Sequence, residues 1–195
     1  MWIKICGMTT PAAVSAALEA GVDAIGFVFA DSVRRVTPEF ARKLAAGARG
    51  RVACVAVTRQ ATQHELDFML ATFAPDVLQA DASDLDGIRL PTQLSVLSVV
   101  RAGTEPPKPL PARVLFEGPT SGTGVACDWQ AARALAKRTE LVLAGGLSAR
   151  NVAAAIRAVH PFGVDVSSGV EERRGIKSPR EIARFVEAVR QEGKP

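Results

Sequence analysis

Polar side chains able to trade protons stand at the ends of short apolar runs in this chain. Cys6 closes WIKIC, Gln79 and Asp81 follow DVL, Glu117 closes RVLFE, and Asp165 lies one residue before the end of FGVDV. A thiol and two carboxylates held close together make a general acid and base set, one group giving a proton while another takes one. If these runs are strands, Cys6 shares a face with Lys4 and Glu117 with Leu115. Ile3, Ile5, Val114 and Phe116 then take the opposite face, because side chains alternate along a strand.

Two glycine-rich turns add an anion site. AGGLS at 144–148 leads into a helical stretch, and SSGVE at 167–171 follows the last apolar run. Taken singly, Gly145-Gly146 fits an ordinary loop equally well. A pair of such turns at adjacent strand ends points to phosphate, held by backbone N–H groups of Gly145 and Gly146 and of the Ser167, Ser168 and Gly169 turn. The three cysteines, at 6, 54 and 127, are odd in number and far apart without a CxxC pair. They support neither a disulfide framework nor a metal site, and a reducing cytoplasm is the expected compartment.

The elements that must position these groups alternate along the whole chain. Apolar, β-branched segments predict strands near 2–6, 23–29, 52–57, 76–79, 94–100, 113–117, 140–144 and 162–166. Helical periods fall near 10–20, 38–48, 62–73, 84–90, 128–138, 148–158 and 178–191. Thr10, Thr37 and Ser178 each precede a proline, the signature of a capped start with Pro at the first helical position, and Ser148 opens another. Strict alternation implies parallel strands with crossover helices, and eight units close an α/β (β/α)8 TIM barrel. An open doubly wound sheet would more often carry five or six strands and a GxGxxG turn after the first, which is absent.

At 195 residues the barrel is compact, and residues 1–195 are read as one domain. Something must be trimmed, and RAGTEPPKPLP at 101–111, with four prolines and no helical period, predicts a loop in place of the helix after strand five. In a barrel the active site lies at the carboxyl ends of the strands, which is where Cys6, Glu117 and Asp165 fall.

Composition excludes several function classes. Lys and Arg number 24 against 20 Asp and Glu, for a net charge of +4 and a pI near 9.3. The basic residues are scattered and there is no Tyr to stack bases, so a small anionic substrate is expected and nucleic acid is not. No apolar run reaches the roughly 18–20 residues of a membrane helix. Secretion and membrane insertion are not expected. Nothing marks a large apolar patch, so a monomer is expected, with a homodimer left open.

Five segments carry a resemblance over nearly the whole chain: KICGMT at 4–9, DAIGFVFADSVRRVTPEFAR at 23–42, SGTGVACDW at 121–129, LAGGLSARNV at 143–152 and GVDVSSGVE at 163–171. The chain resembles the phosphoribosylanthranilate isomerases of tryptophan biosynthesis. That resemblance implies a (β/α)8 barrel without metal or organic cofactor. The implied reaction is an Amadori rearrangement of N-(5-phosphoribosyl)anthranilate to 1-(2-carboxyphenylamino)-1-deoxyribulose 5-phosphate. It assigns Cys6 as the general base at ribose C2 and places Glu117 where the family has an aspartate as general acid. Arg35 falls at the arginine for the anthranilate carboxylate, with Arg34 one position away as the competing assignment. Asp165 is expected on the ribose hydroxyls, a structural hydrogen bond being the alternative, and Gln79 on substrate.

The chain departs from the family in places. QADA at 79–82 replaces QLHG, so Asp81 stands for a histidine, and GIKS at 175–178 replaces GxKD. Asp128 is a second candidate acid, though it better opens the helix that contains Trp129. The sister isomerase of histidine synthesis would use two aspartates and two similar halves. A pentose-phosphate epimerase would need a histidine pair, and a non-catalytic phosphate-binding barrel would leave Cys6 without a role.

Overall fold

The computed structural model describes residues 1–118 and 128–192; Cys127 and most of SGTGVACDW lie outside them. The chain runs β1 (Trp2–Cys6), α1 (Pro11–Ala20), β2 (Ala24–Val28), α2 (Pro38–Ala45), β3 (Ala53–Val57), α3 (Gln63–Phe73) and β4 (Val77–Asp81). It continues through β5 (Ser95–Arg101), β6 (Arg113–Glu117), α4 (Trp129–Ala136), β7 (Glu140–Leu143), α5 (Val152–Val159) and β8 (Gly163–Val166). A small hairpin, β9 (Glu171–Arg173) and β10 (Ile176–Lys177), precedes α6 (Pro179–Glu192). β1 through β8 form a closed parallel barrel in chain order, with β8 returning to pair with β1.

The helices start where their caps dictate. Thr10 and Thr37 accept main-chain N–H bonds and are followed by Pro at the first helical position, and Thr62 with Glu65 forms a capping box. Asp128 accepts from the N–H groups of Gln130 and Ala131 and so caps α4, which occupies its carboxylate. Ser148 opens a turn ahead of α5 instead of capping it: its hydroxyl accepts from Arg150 N–H at 3.3 Å and its carbonyl from Val152 N–H at 3.0 Å, and the helix begins at Val152.

Two crossovers lack an α-helix. After β5 the Pro-rich segment runs as a loop, as its prolines dictate. After β4 the helix expected at 84–90 is replaced by a single 3-10 turn, Ala82–Leu85. Extended Asp86 ends it, Gly87 takes a left-handed step at φ +76° in the turn closed by Ile88 N–H on Leu85 O, and Leu85, Ile88 and Leu90 pack on the core from irregular chain.

Apolar side chains fill two layers. Ile3, Ile5, Ile25, Phe27, Leu78, Phe116, Leu141 and Leu143 face the helices and meet Phe73 and Phe185. Each such buried side chain contributes about 1.5–3 kcal/mol. Inside the barrel, Leu97, Val99, Leu115, Val142 and Ala144 pack with Trp2, Val77 and Phe162. Trp2, Val77 and Phe162 lie at the amino-terminal ends of β1, β4 and β8, so this cluster is a floor. Arg113 lies over the Phe162 and Trp2 rings, 4.2 and 5.9 Å from their centroids, and pairs with Glu140 at 2.7 Å. Val99 of this cluster also lines a cavity at the carboxyl ends of the strands, with Asp81 and Arg101.

Candidate active site

Cys6, the last residue of β1, sits above a fully buried Lys4 whose Nζ donates to Asp165 Oδ1 at 2.9 Å. The β1–β8 register sets Lys4 beside Asp165, so two adjacent strands deliver the pair without help from a loop. Room for the thiol comes from β2. Gly26 is the register partner of Cys6, and a Cβ there would stand 2.9 Å from Cys6 Sγ and 3.2 Å from Lys4 Cε. Burial pushes the Cys6 thiol above its ordinary pKa; Lys4 and Lys177 pull it back while Asp165 pushes with burial, and the net direction is up. Lys4 is held protonated: burial works against its charge, but Asp165 and Cys6 together outweigh it. At Cys54 the Arg49 charge opposes the rise but does not prevail. Burial first and Asp76 second push its pKa up to about 11, as befits an inert core thiol.

A second chain of ionic contacts runs beside Cys6. Lys177 Nζ donates to Ser167 O at 3.1 Å, Ser167 Oγ at 3.2 Å and Glu171 Oε1 at 2.7 Å. Ser167 Oγ donates to Cys6 O at 3.0 Å. Glu171 in turn takes Arg34 in a two-pronged pair, Nε to Oε1 at 2.7 Å and Nη2 to Oε2 at 2.9 Å. The Glu171 hydrogen bond leads in raising the Arg34 pKa. Burial opposes ionisation of Glu171, yet its bonds from Arg34 and Lys177 prevail and its pKa falls. Burial lowers the Lys177 pKa, with Glu171 opposing.

The arginine turned into the mouth is therefore Arg34, not Arg35. Arg34 is buried with its stem packed against Gly7, whereas Arg35 is exposed and lines a cavity of about 670 Å³ between the β2–α2 and β3–α3 loops, with Phe29, Thr58 and Phe68. The reason is local. Ser32 starts a turn, its Oγ accepting from Arg34 N–H and its carbonyl from Arg35 N–H, and that turn sends consecutive side chains to opposite sides.

Across the mouth, three strand ends converge on Arg101, the last residue of β5. Its Nη1 donates to Glu117 Oε1 and its Nη2 to Asp81 Oδ2, both at 2.8 Å. Gln79 is 6% exposed, and its Oε1 has no hydrogen-bond partner among the described residues. An acceptor left this way is costly unless a ligand donates to it.

The two glycine-rich turns touch. A Cβ on Gly169 would overlap the Leu147 carbonyl oxygen, so the loop after β8 nests against the loop after β7. Gly145 and Gly146 adopt φ of +90° and +65°, and among the described residues neither N–H has an acceptor. Asn151 holds the loop by donating to Gly146 O at 2.8 Å.

Sequence reasoning placed Cys6, Glu117, Asp165, Gln79 and both turns at this end of the barrel. It gave Arg34 second place, and it missed Glu171 and Arg101; Lys177 was noted only as part of GIKS. The signal for Glu171 was the close of SSGVE, and for Arg101 its place at a strand end.

Residues 3–188 match the family model for N-(5'-phosphoribosyl)anthranilate (PRA) isomerase. An N-(5'-phosphoribosyl)anthranilate isomerase of Mesorhizobium japonicum is 37% identical, the match covering 96% of this chain and 94% of the relative. TrpF from Jonesia denitrificans superposes with a TM-score of 0.86 at 34% identity, covering 100% of this chain and 99% of that one. A phosphoribosyl anthranilate isomerase solved with reduced 1-(o-carboxyphenylamino)-1-deoxyribulose 5-phosphate superposes at TM-score 0.80 and 27% identity, over 98% and 99% of the two chains. With the barrel, the strand-end thiol and the paired glycine turns already in place, the chain belongs to the N-(5'-phosphoribosyl)anthranilate isomerase family.

Proposed function

We propose that this enzyme isomerises N-(5'-phosphoribosyl)anthranilate to 1-(2-carboxyphenylamino)-1-deoxyribulose 5-phosphate, Glu117 giving a proton to the substrate and Cys6 taking one from it. The observation that carries the reading is the convergence of Cys6, from β1, and Glu117, from β6, on one open end of a barrel whose other end is plugged.

Acting as the acid, Glu117 gives a proton to the furanose ring oxygen. The C1–O bond breaks, and the amine lone pair forms a C1=N iminium. Cys6, as thiolate, removes the proton on C2; the C–H electrons become the C1=C2 bond and return the N=C pair to nitrogen. The enol so formed ketonises, C1 gaining a proton and the C2 hydroxyl losing one. Lys4 and Lys177 favour the thiolate that burial disfavours. Asp165, fixed by Lys4, and the Gln79 carbonyl are placed to accept from ribose hydroxyls.

The substrate phosphate is assigned to the N–H groups of Gly145, Gly146 and the Ser167–Gly169 turn. The anthranilate carboxylate is assigned to Arg34 in place of Arg35, because Glu171 aims it into the mouth. Every group used here comes from one chain, and we read the enzyme as a cytoplasmic monomer. Light scattering at twice the 20.5 kDa chain mass would overturn the monomer.

The test is the loss of substrate fluorescence on mixing freshly made phosphoribosylanthranilate with wild type, Cys6→Ser and Glu117→Gln. Turnover by wild type with both variants down at least about a hundredfold supports the two assignments. An active Glu117→Gln moves the acid elsewhere. A wild type that binds the reduced product analogue without turnover sinks the isomerase reading.

A further inference from the structure

The contact between Arg101 and Glu117 is matched by an equal one from the same guanidinium to Asp81. The three residues end three consecutive strands, β4, β5 and β6. Barrel shear sets Arg101 opposite Glu117 in the β5–β6 register, while Asp81 pairs two residues earlier with Val99. The arginine therefore reaches back across its own strand to span both neighbours. Side-chain exposures are 16% for Arg101 and 14% for each carboxylate, so the trio is shielded without being sealed.

The main chain beneath Arg101 is fixed as well, although no helix follows β5. Ala102 N–H donates to Glu117 O at 2.9 Å, tying the two strand ends. Thr104 donates to Arg101 O twice, from its N–H at 3.0 Å and its hydroxyl at 2.8 Å, and so closes the chain into a turn where a helix would otherwise hold it. Arg101 is thus pinned at its backbone and at both edges of its fork. A glutamate side chain has three rotatable bonds, and the fork removes most of that freedom at the carboxyl end.

We propose that Arg101 is a positioning residue for this reaction: anchored on Asp81, it holds the Glu117 carboxyl at the place from which the ring oxygen is protonated. The proposal rests on the reading of Glu117 as the acid. An acid displaced by about 1 Å loses up to about a hundredfold in rate while the rest of the substrate still binds. Arg101→Met is therefore expected to lower kcat about 10- to 100-fold with KM within about threefold. Arg101→Lys keeps a positive charge but has no planar fork to span two carboxylates, so it should fall nearer to Arg101→Met than to wild type.

The deciding experiment is a double-mutant cycle of Arg101→Met with Glu117→Gln, reading kcat and KM, with a melting temperature for every variant. If Arg101 works through Glu117, its removal costs less than about threefold in kcat once Glu117→Gln is in place. An equal loss in both backgrounds, or wild-type kcat in Arg101→Lys, overturns the proposal. Should Glu117→Gln alone retain full kcat, it is the assignment of the acid that has failed, a separate outcome read from a separate variant. If Arg101→Met melts below the assay temperature, Arg101→Lys carries the same cycle.

Discussion

Cys6 combines two properties that pull against each other, burial and a need for charge. Its pKa stands above the ordinary cysteine value, burial leading and Lys4 opposing, so at any pH below that pKa it is less ionised than a free thiol. Alkylation of Cys6 by iodoacetamide should therefore climb about tenfold per pH unit from about pH 7 to 9 without levelling. A rate that saturates near pH 8 would show a lowered pKa instead. Lys4 carries the opposite risk, since its removal strands the Asp165 carboxylate in the interior. Lys4→Met should cost about 3–5 kcal/mol in urea unfolding, and a loss below about 1 kcal/mol would mean that Asp165 simply takes up a proton. The two neighbouring arginines separate in kinetics: Arg34→Met should raise KM about 10- to 100-fold, while Arg35→Met stays within about threefold. Cys6 and Glu117 were legible because strand ends can be counted. The choice between Arg34 and Arg35 was not, because it depends on a Ser32 turn that sends adjacent side chains to opposite sides.

At the scale of elements, the eight strands followed from their β-branched runs, each within a residue or two of its expected bounds. The helices with Thr caps before proline or a capping box were equally readable. What failed was the stretch after β4, where the spacing of Leu85, Ile88 and Leu90 looked helical but serves loop packing around Gly87. Periodicity records which residues are buried, and an irregular loop can bury the same spacing. Ser148 misled for a related reason, its hydroxyl accepting from Arg150 N–H in a turn that precedes the helix. The pairing of β2 with β1 leads to a sharper expectation. Gly26→Ala places a methyl where Cys6 Sγ and Lys4 Cε already stand, so kcat should drop about 10- to 100-fold at a stability cost of about 1–3 kcal/mol. Wild-type kcat in that variant would mean that the thiol can move without penalty to the reaction.

For the molecule as a whole, the proposed ligand contacts come from β1, β4, β6 and β8 and from the loops after β2, β7 and β8, so a bound molecule ties the ring of strands together. At a hundredfold excess over its Kd the reduced product analogue should add about 2.7 kcal/mol and raise Tm by roughly 5–10 °C. An unchanged Tm at saturation would place the ligand away from the folded barrel. The floor built from Leu97, Val99, Leu115 and Val142, with Trp2 and Phe162 beneath Arg113, has a kinetic meaning too. A vessel closed at its base has a single doorway, through which reactant enters and product must leave. Reactant and product then share one site, so added product should raise the KM for reactant and leave kcat unchanged; a fall in kcat would point to a second place for product to bind.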